Sequence, residues 1–226
     1  MSKKQISKDW LDAFPELRIY SANRFYKILG PTIIGLELTK LPRVEHYRPH
    51  FVIYSLCGNN AGNDLKSCMS GPILLRQFYN KKNLQFSIPY NDHSKYFQEV
   101  KAVVRDQAEI CTEGNYPLGK AIQALKEYSK KPPMGVSPNS YLQAMFYEAL
   151  LKITLYCDSL KEISTILDII ESRKWDAKHF KLFGTDIDSW LNNIVEISQN
   201  QSQIISIVNT NLKDLRLTKL LKSELV

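Results

Sequence analysis

The sequence predicts an α+β fold: an N-terminal antiparallel sheet of four to five strands with flanking helices, followed by a C-terminal helical layer. Short apolar runs separated by turn signals fill residues 24–88, and helical spacing of apolar residues replaces them from Asp92 onward. The stretch KKPPMGVSPNS, at residues 130–140, is the best candidate boundary. We therefore expect an α+β region over residues 1–130 and a helical region over residues 140–226, packed together as one unit.

Five short runs rich in β-branched and aromatic residues are expected to form the sheet. They cover residues 24–29, 32–39, 47–56, 73–79 and 84–88. A Gly-Pro turn signal separates the first two runs, and NKKN, a four-residue hairpin loop, separates the last two. The run 47–56 is apolar on both faces, which predicts an interior strand. Ahead of the sheet, Ser7 is expected to cap a short helix that Pro15 ends.

The rest of the chain is expected to be helical. One predicted helix begins at Asp92, and three more cover residues 117–128, 140–157 and 186–198. A further helix is expected to follow a cap at Ser159, and the last one to run from about residue 204 to residue 221. The helix at 140–157 is expected to bury one stripe, made of Leu142, Met145, Phe146, Ala149, Ile153 and Tyr156. This helix and the one after Ser159 predict an αα-hairpin.

Composition and charge narrow the function classes. The hydrophobic fraction of 44% is typical of soluble globular proteins. The sequence contains no stretch of about 18 apolar residues, so no transmembrane helix is expected. A net charge of +7 is typical of a lysine-rich soluble surface, and such an excess also attracts nucleic acid, an anionic membrane or an acidic protein. No run of five like charges forms a basic tail. The four cysteines match no zinc spacing, which predicts reduced, buried thiols and a cytoplasmic location.

No motif predicts a cofactor or a metal site. His46 and His50 have the spacing of a helical metal pair, but Pro49 excludes a helix there. Glu99 and Lys101 have the E-x-K form of metal-dependent nucleases, yet they lie on a predicted helix, where residues two apart do not face each other. The sequence also lacks the P-loop and the Gly-x-Ser-x-Gly motif. We therefore expect a non-enzymatic protein.

One catalytic alternative stays open. Arg173 and His179, in RKWDAKH, resemble the R-x(4–6)-H motif of the helical HEPN ribonucleases. The resemblance implies that the arginine binds the scissile phosphate and that the histidine takes part in general acid–base chemistry. Lys174 stands where that family usually has a small polar residue.

The candidate binding residues surround the predicted hairpin loop. They are Arg76, Tyr79, Lys81, Lys82 and Tyr90. Tyrosine and arginine are frequent at the energetic centres of protein interfaces, which favours a protein partner. A basic, aromatic hairpin is also typical of proteins that stack on single-stranded RNA or DNA. A solvated turn with half-buried tyrosine rings is the third interpretation.

The region from residue 47 to residue 100 carries a resemblance to known proteins. It contains YRPHFVIYSL and GPILLRQFYNKKNLQFSIPYNDHSKYFQEV. These segments resemble uncharacterised bacterial cytosolic proteins of toxin-immunity type. The resemblance implies a small sheet followed by helices, and an immunity protein that binds and neutralises a cognate toxin. Many such proteins are acidic, whereas this chain is basic, so the expected partner has an acidic surface or is bound through apolar and aromatic contacts.

Overall fold

The computed structural model describes residues 2–58, 71–108, 110 and 112–226. In this part of the chain the strands are β1 (Arg18–Ser21), β2 (Arg24–Leu29), β3 (Thr32–Lys40), β4 (His46–Ser55), β5 (Leu74–Gln77), β6 (Ile88–Pro89) and β7 (Lys222–Ser223). The helices are α1 (Lys3–Ala13), α2 (His93–Gln107), α3 (Leu118–Ser129), α4 (Tyr141–Tyr156), α5 (Leu160–Ser172), α6 (Ala177–Leu182), α7 (Ile187–Ser198) and α8 (Gln201–Asn211). The predicted fold class is confirmed.

The sheet has the order β1-β2-β3-β4-β5, and these neighbours are antiparallel. Strand β4 lies between β3 and β5, so the predicted interior position is confirmed. The predicted hairpin of residues 73–88 is realised differently. Strand β6 pairs with β4, ahead of the segment of β4 that pairs with β5, and one isolated bridge joins Tyr79 to Gln85. Both sides of the predicted hairpin therefore run along the same edge of β4.

The register of β3 explains a glycine in the middle of the sheet. Gly35 lies between Tyr26 of β2 and Val52 of β4. Its φ is 154°, and a Cβ atom built there would lie 2.0 Å from the Phe25 carbonyl oxygen. Only glycine allows β2 to approach β3 this closely.

The two faces of the sheet differ as the alternation in β3 predicts. Leu36 pairs with Phe51 on one face, and Glu37 pairs with His50 on the other. Trp10 of α1 and Phe97 of α2 pack edge to face in the core, with ring centroids 5.2 Å apart. The first helix begins earlier than Ser7 predicted: Ser2 is its N-cap and accepts a hydrogen bond from the Gln5 amide at 3.2 Å.

Helix α4 lies at the centre of the helical region. It packs against α3, α5, α7 and α8. Its buried residues therefore extend around much of the helix: Gln143, Ala144, Phe146, Tyr147, Glu148, Leu150, Leu151, Ile153, Thr154 and Leu155. The predicted single stripe was wrong at Leu142 and Met145, which are exposed. The pairing of α4 with α5 was predicted, and the predicted bounds of 140–157 differ by one residue at each end, where Ser140 is the N-cap and Cys157 the C-cap.

The C-terminal segment returns to the sheet. The predicted helix from residue 204 to residue 221 was wrong in length, because α8 ends at Asn211 and Leu215 is exposed. Strand β7 then pairs with β2 in parallel. Lys27 of β2 is fully buried, and its ammonium donates to the Thr112 carbonyl at 2.9 Å and to the Ser223 hydroxyl at 2.7 Å.

Two features predicted from composition can be compared with the described residues. Cys57 is buried and Cys157 is partly buried, and neither forms a disulfide. Cys68, Cys111 and most of the predicted loop at 58–71 lie outside the described residues. No helix in the described ranges combines the length and the apolar character that a membrane crossing requires.

Candidate functional site

The chain leaves the sheet between β5 and β6 in a compact excursion, which we call loop 78–87. Its tip is shaped by Asn80, whose side-chain oxygen accepts hydrogen bonds from the amides of Lys82 and Leu84, both at 3.0 Å. Asn83 has a φ of 57°, the left-handed conformation that asparagine tolerates. The predicted four-residue turn is therefore present and is fixed by its own side chains.

Helix α2 holds the base of loop 78–87. The Gln107 side chain accepts from the Tyr79 amide at 3.4 Å and donates to the Tyr79 carbonyl at 3.3 Å. The Tyr79 hydroxyl donates to the Gln77 side chain at 2.8 Å. The loop thus presents Tyr79 and its neighbours from an anchored backbone.

The outer surface of loop 78–87 is both apolar and basic. Leu84 is 61% exposed and Tyr79 is 37% exposed. Lys81 and Lys82 are also exposed at the tip. Aromatic and apolar side chains with basic neighbours are a composition found in protein interfaces.

The structure brings together three of the five predicted site residues. Tyr79, Lys81 and Lys82 share loop 78–87, and Arg76 lies nearby on β5 with partial burial, which lowers the pKa of its guanidinium. Tyr90 is separate from them. It is buried, its ring lies 5.4 Å from that of Tyr47, and the Lys3 ammonium lies 5.2 Å from its ring centroid.

A polar chain fastens loop 78–87 to the face of the sheet that carries His50. Arg48 donates to the side-chain oxygen of Gln85 at 2.7 Å, which fixes the orientation of that side-chain amide. The Gln85 nitrogen lies 3.3 Å from His50 Nε2, and His50 Nδ1 lies 2.9 Å from the Thr39 hydroxyl. Gln85 therefore donates to His50, which in turn donates to Thr39 as a neutral ring. Burial lowers the pKa of His50, and the nearby Arg48 charge acts in the same direction.

His46 and His50, which were not expected to form a metal pair, each have hydrogen-bond partners. His46 Nδ1 lies 3.0 Å from the Ser87 hydroxyl, and both ring nitrogens of His50 are hydrogen-bonded. Among residues 2–58, 71–108, 110 and 112–226, no three His, Cys, Asp or Glu side chains form a group that could hold a metal ion.

Glu37 forms a second polar cluster on the same face, which the sequence analysis missed. Its carboxylate accepts from the hydroxyls of Tyr26 and Tyr54, the second at 2.8 Å. The Arg24 guanidinium lies 3.5 Å away. Burial raises the pKa of both tyrosines, and the Glu37 charge raises them further. Glu37 therefore joins β2, β3 and β4 through two tyrosine hydroxyls and one ion pair. This cluster could have been predicted only from the strand register, which places Glu37 beside Arg24.

A buried relay lies on the opposite face. Trp10 donates to the Tyr47 hydroxyl at 3.3 Å, and that hydroxyl lies 2.7 Å from His93 Nδ1. His93 Nε2 lies 3.1 Å from the Asp9 carboxylate. The order of groups resembles an Asp-His-nucleophile triad, but Tyr47 and His93 are both 0% exposed. The relay joins α1, β4 and α2, and its tyrosine and histidine are closed off from solvent.

The predicted nuclease residues already have partners in the helical region. Arg173 donates to the Pro138 carbonyl at 2.7 Å and lies 4.6 Å from the ring centroid of Tyr147. His179 Nδ1 accepts from the Tyr141 amide at 3.2 Å, at the N-terminus of α4. Glu99 and Lys101 lie on α2, as expected. The contacts of Arg173 and His179 give both residues a structural role.

Comparisons with protein-family models, with curated proteins and with solved structures found no match. The arguments for function therefore come from the site itself. Loop 78–87 combines exposed apolar groups, exposed basic groups and an anchored backbone.

Proposed function

We propose that this chain is a protein-binding protein and that loop 78–87 contacts its partner. The observation that carries the proposal is the exposure of Tyr79 and Leu84 on a backbone held by Asn80 and Gln107. A few large side chains supply most of the binding energy in protein interfaces. A loop already fixed in shape loses little conformational entropy on binding, which leaves more of that energy as affinity.

The partner that we propose is a bacterial toxin, which the chain would neutralise as an immunity protein. The resemblance that suggests this role lies within residues 47–100, and this region includes loop 78–87. Such a protein acts by covering the toxin's active site or by holding it in an inactive state. Lys81 and Lys82 suit an acidic partner surface, while Tyr79 and Leu84 suit an apolar one.

Single-stranded nucleic acid is the second candidate partner. It is favoured by the two lysines next to the exposed Tyr79 ring, since bases stack on aromatic side chains while cations contact phosphates. The two candidates differ in salt dependence. Phosphate contacts release counterions and weaken steeply as salt rises, whereas an apolar interface does not.

Affinity capture from the source cell tests the proposal. The bait is the full chain, used as wild type, as Leu84→Asp and as Leu160→Asp, where Leu160 is a leucine on α5 that is more exposed than Leu84. After a wash at about 0.5 M salt, which shortens the Debye length to a few ångströms, we expect wild type and Leu160→Asp to retain one stoichiometric protein. Leu84→Asp should lose it, because a charge would be buried at the interface.

Expression of the captured protein then tests the immunity role. It should arrest growth when it is expressed alone, and co-expression of the wild-type chain should restore growth. A captured protein that is harmless alone contradicts the toxin proposal. Equal capture by Leu84→Asp contradicts the role of loop 78–87. Capture of nucleic acid alone, lost in the salt wash, favours the second candidate.

A further inference from the structure

Strand β1 lies at the opposite edge of the sheet from β5 and loop 78–87. It pairs with β2 on one side, and within the described residues no strand pairs with its other side. Ile19, in the middle of β1, is 55% exposed. An edge strand of this kind offers main-chain N–H and C=O groups to an added strand.

A groove runs between this edge and α1. It consists of two adjoining cavities, of about 850 Å³ and about 650 Å³, which share Leu11, Asp12 and Ile19 as lining residues. Leu11 is partly buried and Ile19 is exposed, so the floor of the groove is apolar. Each cavity is within or near the volume range of sites that bind ligands.

The groove has a basic rim. Its lining includes Lys3, Lys4, Lys8, Arg18 and Lys219. Asp12 is the one acidic residue that lines either cavity among the described residues. This excess favours an acidic occupant through charge complementarity. It also disfavours a second copy of this chain, because pairing two β1 edges would bring two sets of lysines together.

We propose that the groove between α1 and β1 binds an extended, acidic segment of a partner protein, which adds to the sheet as a strand next to β1. Alternate side chains of an added strand point to opposite faces. One set would lie on Leu11 and Ile19 and is therefore apolar, and the other set and the ends of the segment would meet the basic rim. The site goes beyond the proposed function, because it lies at the other sheet edge and needs no residue of loop 78–87.

A fluorescein-labelled octapeptide of alternating valine and glutamate tests this proposal by fluorescence anisotropy. We expect saturable binding to the full chain and no binding of the matching valine–lysine peptide. The double variant Lys4→Glu, Lys8→Glu should weaken binding about tenfold or more, because attraction becomes repulsion at two positions. Ile19→Asp should weaken it similarly, because a carboxylate would lie beneath the added strand.

The matched control is the double variant Lys161→Glu, Lys174→Glu, which makes the same change of net charge at two exposed positions of the helical region. It should leave the affinity for the peptide unchanged. Circular dichroism of each variant checks that the fold is retained, as expected for exposed positions. An equal loss of affinity in both double variants would show that only the overall charge attracts the peptide, and would overturn the proposal.

A peptide with N-methyl groups at alternate residues tests strand addition. It keeps the charge and the side chains but loses main-chain donors, so we expect it to bind more weakly by about tenfold. Equal binding of the methylated peptide would refute strand addition. Absence of saturable binding at about 1 mM peptide, or an Ile19-dependent dimer in sedimentation, would also overturn the proposal. None of these outcomes depends on capture by loop 78–87.

Discussion

His93 and His50 are both held neutral in the folded protein. Burial is the largest cause in each case, and it lowers both pKa values below the ordinary value of 6.5. For His93 the Asp9 carboxylate opposes this shift, and for His50 the Glu37 carboxylate does. The two rings lie on opposite faces of the sheet, so they report independently on its two sides.

We expect the free energy of unfolding to decrease as pH falls below 6.5, the ordinary histidine pKa. Because both folded-state pKa values are lowered, the unfolded chain binds more protons in the window below 6.5. The stabilisation is therefore fully present above this window and is lost on acidification through it. Urea unfolding at about pH 7.5 and about pH 5.5 measures the change. The variant His93→Gln should show a smaller decrease, and an identical decrease would assign the effect elsewhere.

The variant Tyr47→Phe should destabilise the protein by about 1–3 kcal/mol. The substitution removes the hydroxyl that accepts from Trp10 and donates to His93, and it leaves both partners buried without that contact. The matched control is Tyr79→Phe, because Tyr79 is exposed and its hydroxyl donates to the exposed end of the Gln77 side chain. We expect the control to change the free energy of unfolding by less than about 0.5 kcal/mol. Equal effects would show that the relay contributes nothing specific.

At the scale of residues, sequence reasoning found the important positions more readily than their partners. His50 was singled out for its spacing from His46, but its partners are Thr39 on the neighbouring strand β3 and Gln85 in loop 78–87. The distance between such groups depends on strand register, which spacing along one strand does not contain. The same reason hid the cluster of Glu37 with Tyr26 and Tyr54.

At the scale of elements, turn signals were more informative than apolar stripes. The turn before β3 and the turn in loop 78–87 were predicted because glycine and asparagine have local conformational preferences. The stripe on α4 was predicted less well, because a helix with neighbours on several sides has no single buried face. Local chemistry was therefore sufficient for the turns, whereas the surroundings of α4 depend on the whole fold.

The position of α4 leads to a prediction with an internal control. Leu151 is fully buried, and Leu142, on the same helix, is exposed. The variant Leu151→Ala should cost about 2–5 kcal/mol, because it leaves a cavity in the core. The variant Leu142→Ala should cost less than about 0.5 kcal/mol. Thermal or urea unfolding compares the two variants. A larger loss of stability in Leu142→Ala than in Leu151→Ala would support the buried stripe predicted from sequence.

At the scale of the whole molecule, contacts of high sequence separation hold the sheet and the helical region together. Asn211, at the end of α8, donates to the Leu56 carbonyl at 2.7 Å. Lys27 joins β2 to residues 112–114 and to Ser223. The division at residues 130–140 was predicted from prolines, but no local pattern indicated that the C-terminal segment returns as a strand, because β7 has only two residues.

The variant Lys27→Met tests the strength of this connection. It keeps most of the buried volume but removes the donor shared by Thr112, Gly114 and Ser223, so we expect a loss of about 1–3 kcal/mol. Hydrogen exchange should show reduced protection of the amides of residues 222–226. The exposed control Lys213→Met should change neither quantity. Unchanged protection in Lys27→Met would mean that β7 is held by its backbone pairing alone.

The pairing of β7 with β2 has a consequence for the rate of folding. Lys27 and Ser223 touch although 196 positions separate them along the chain. Closing so large a loop costs conformational entropy before any contact compensates for it, and proteins rich in such contacts fold slowly. We expect the hairpin of β2 and β3 to form early. We expect β7 to pair with β2 only after the helices that lie between these two strands in the sequence have packed. The final step of folding is therefore expected to be the arrival of the last strand.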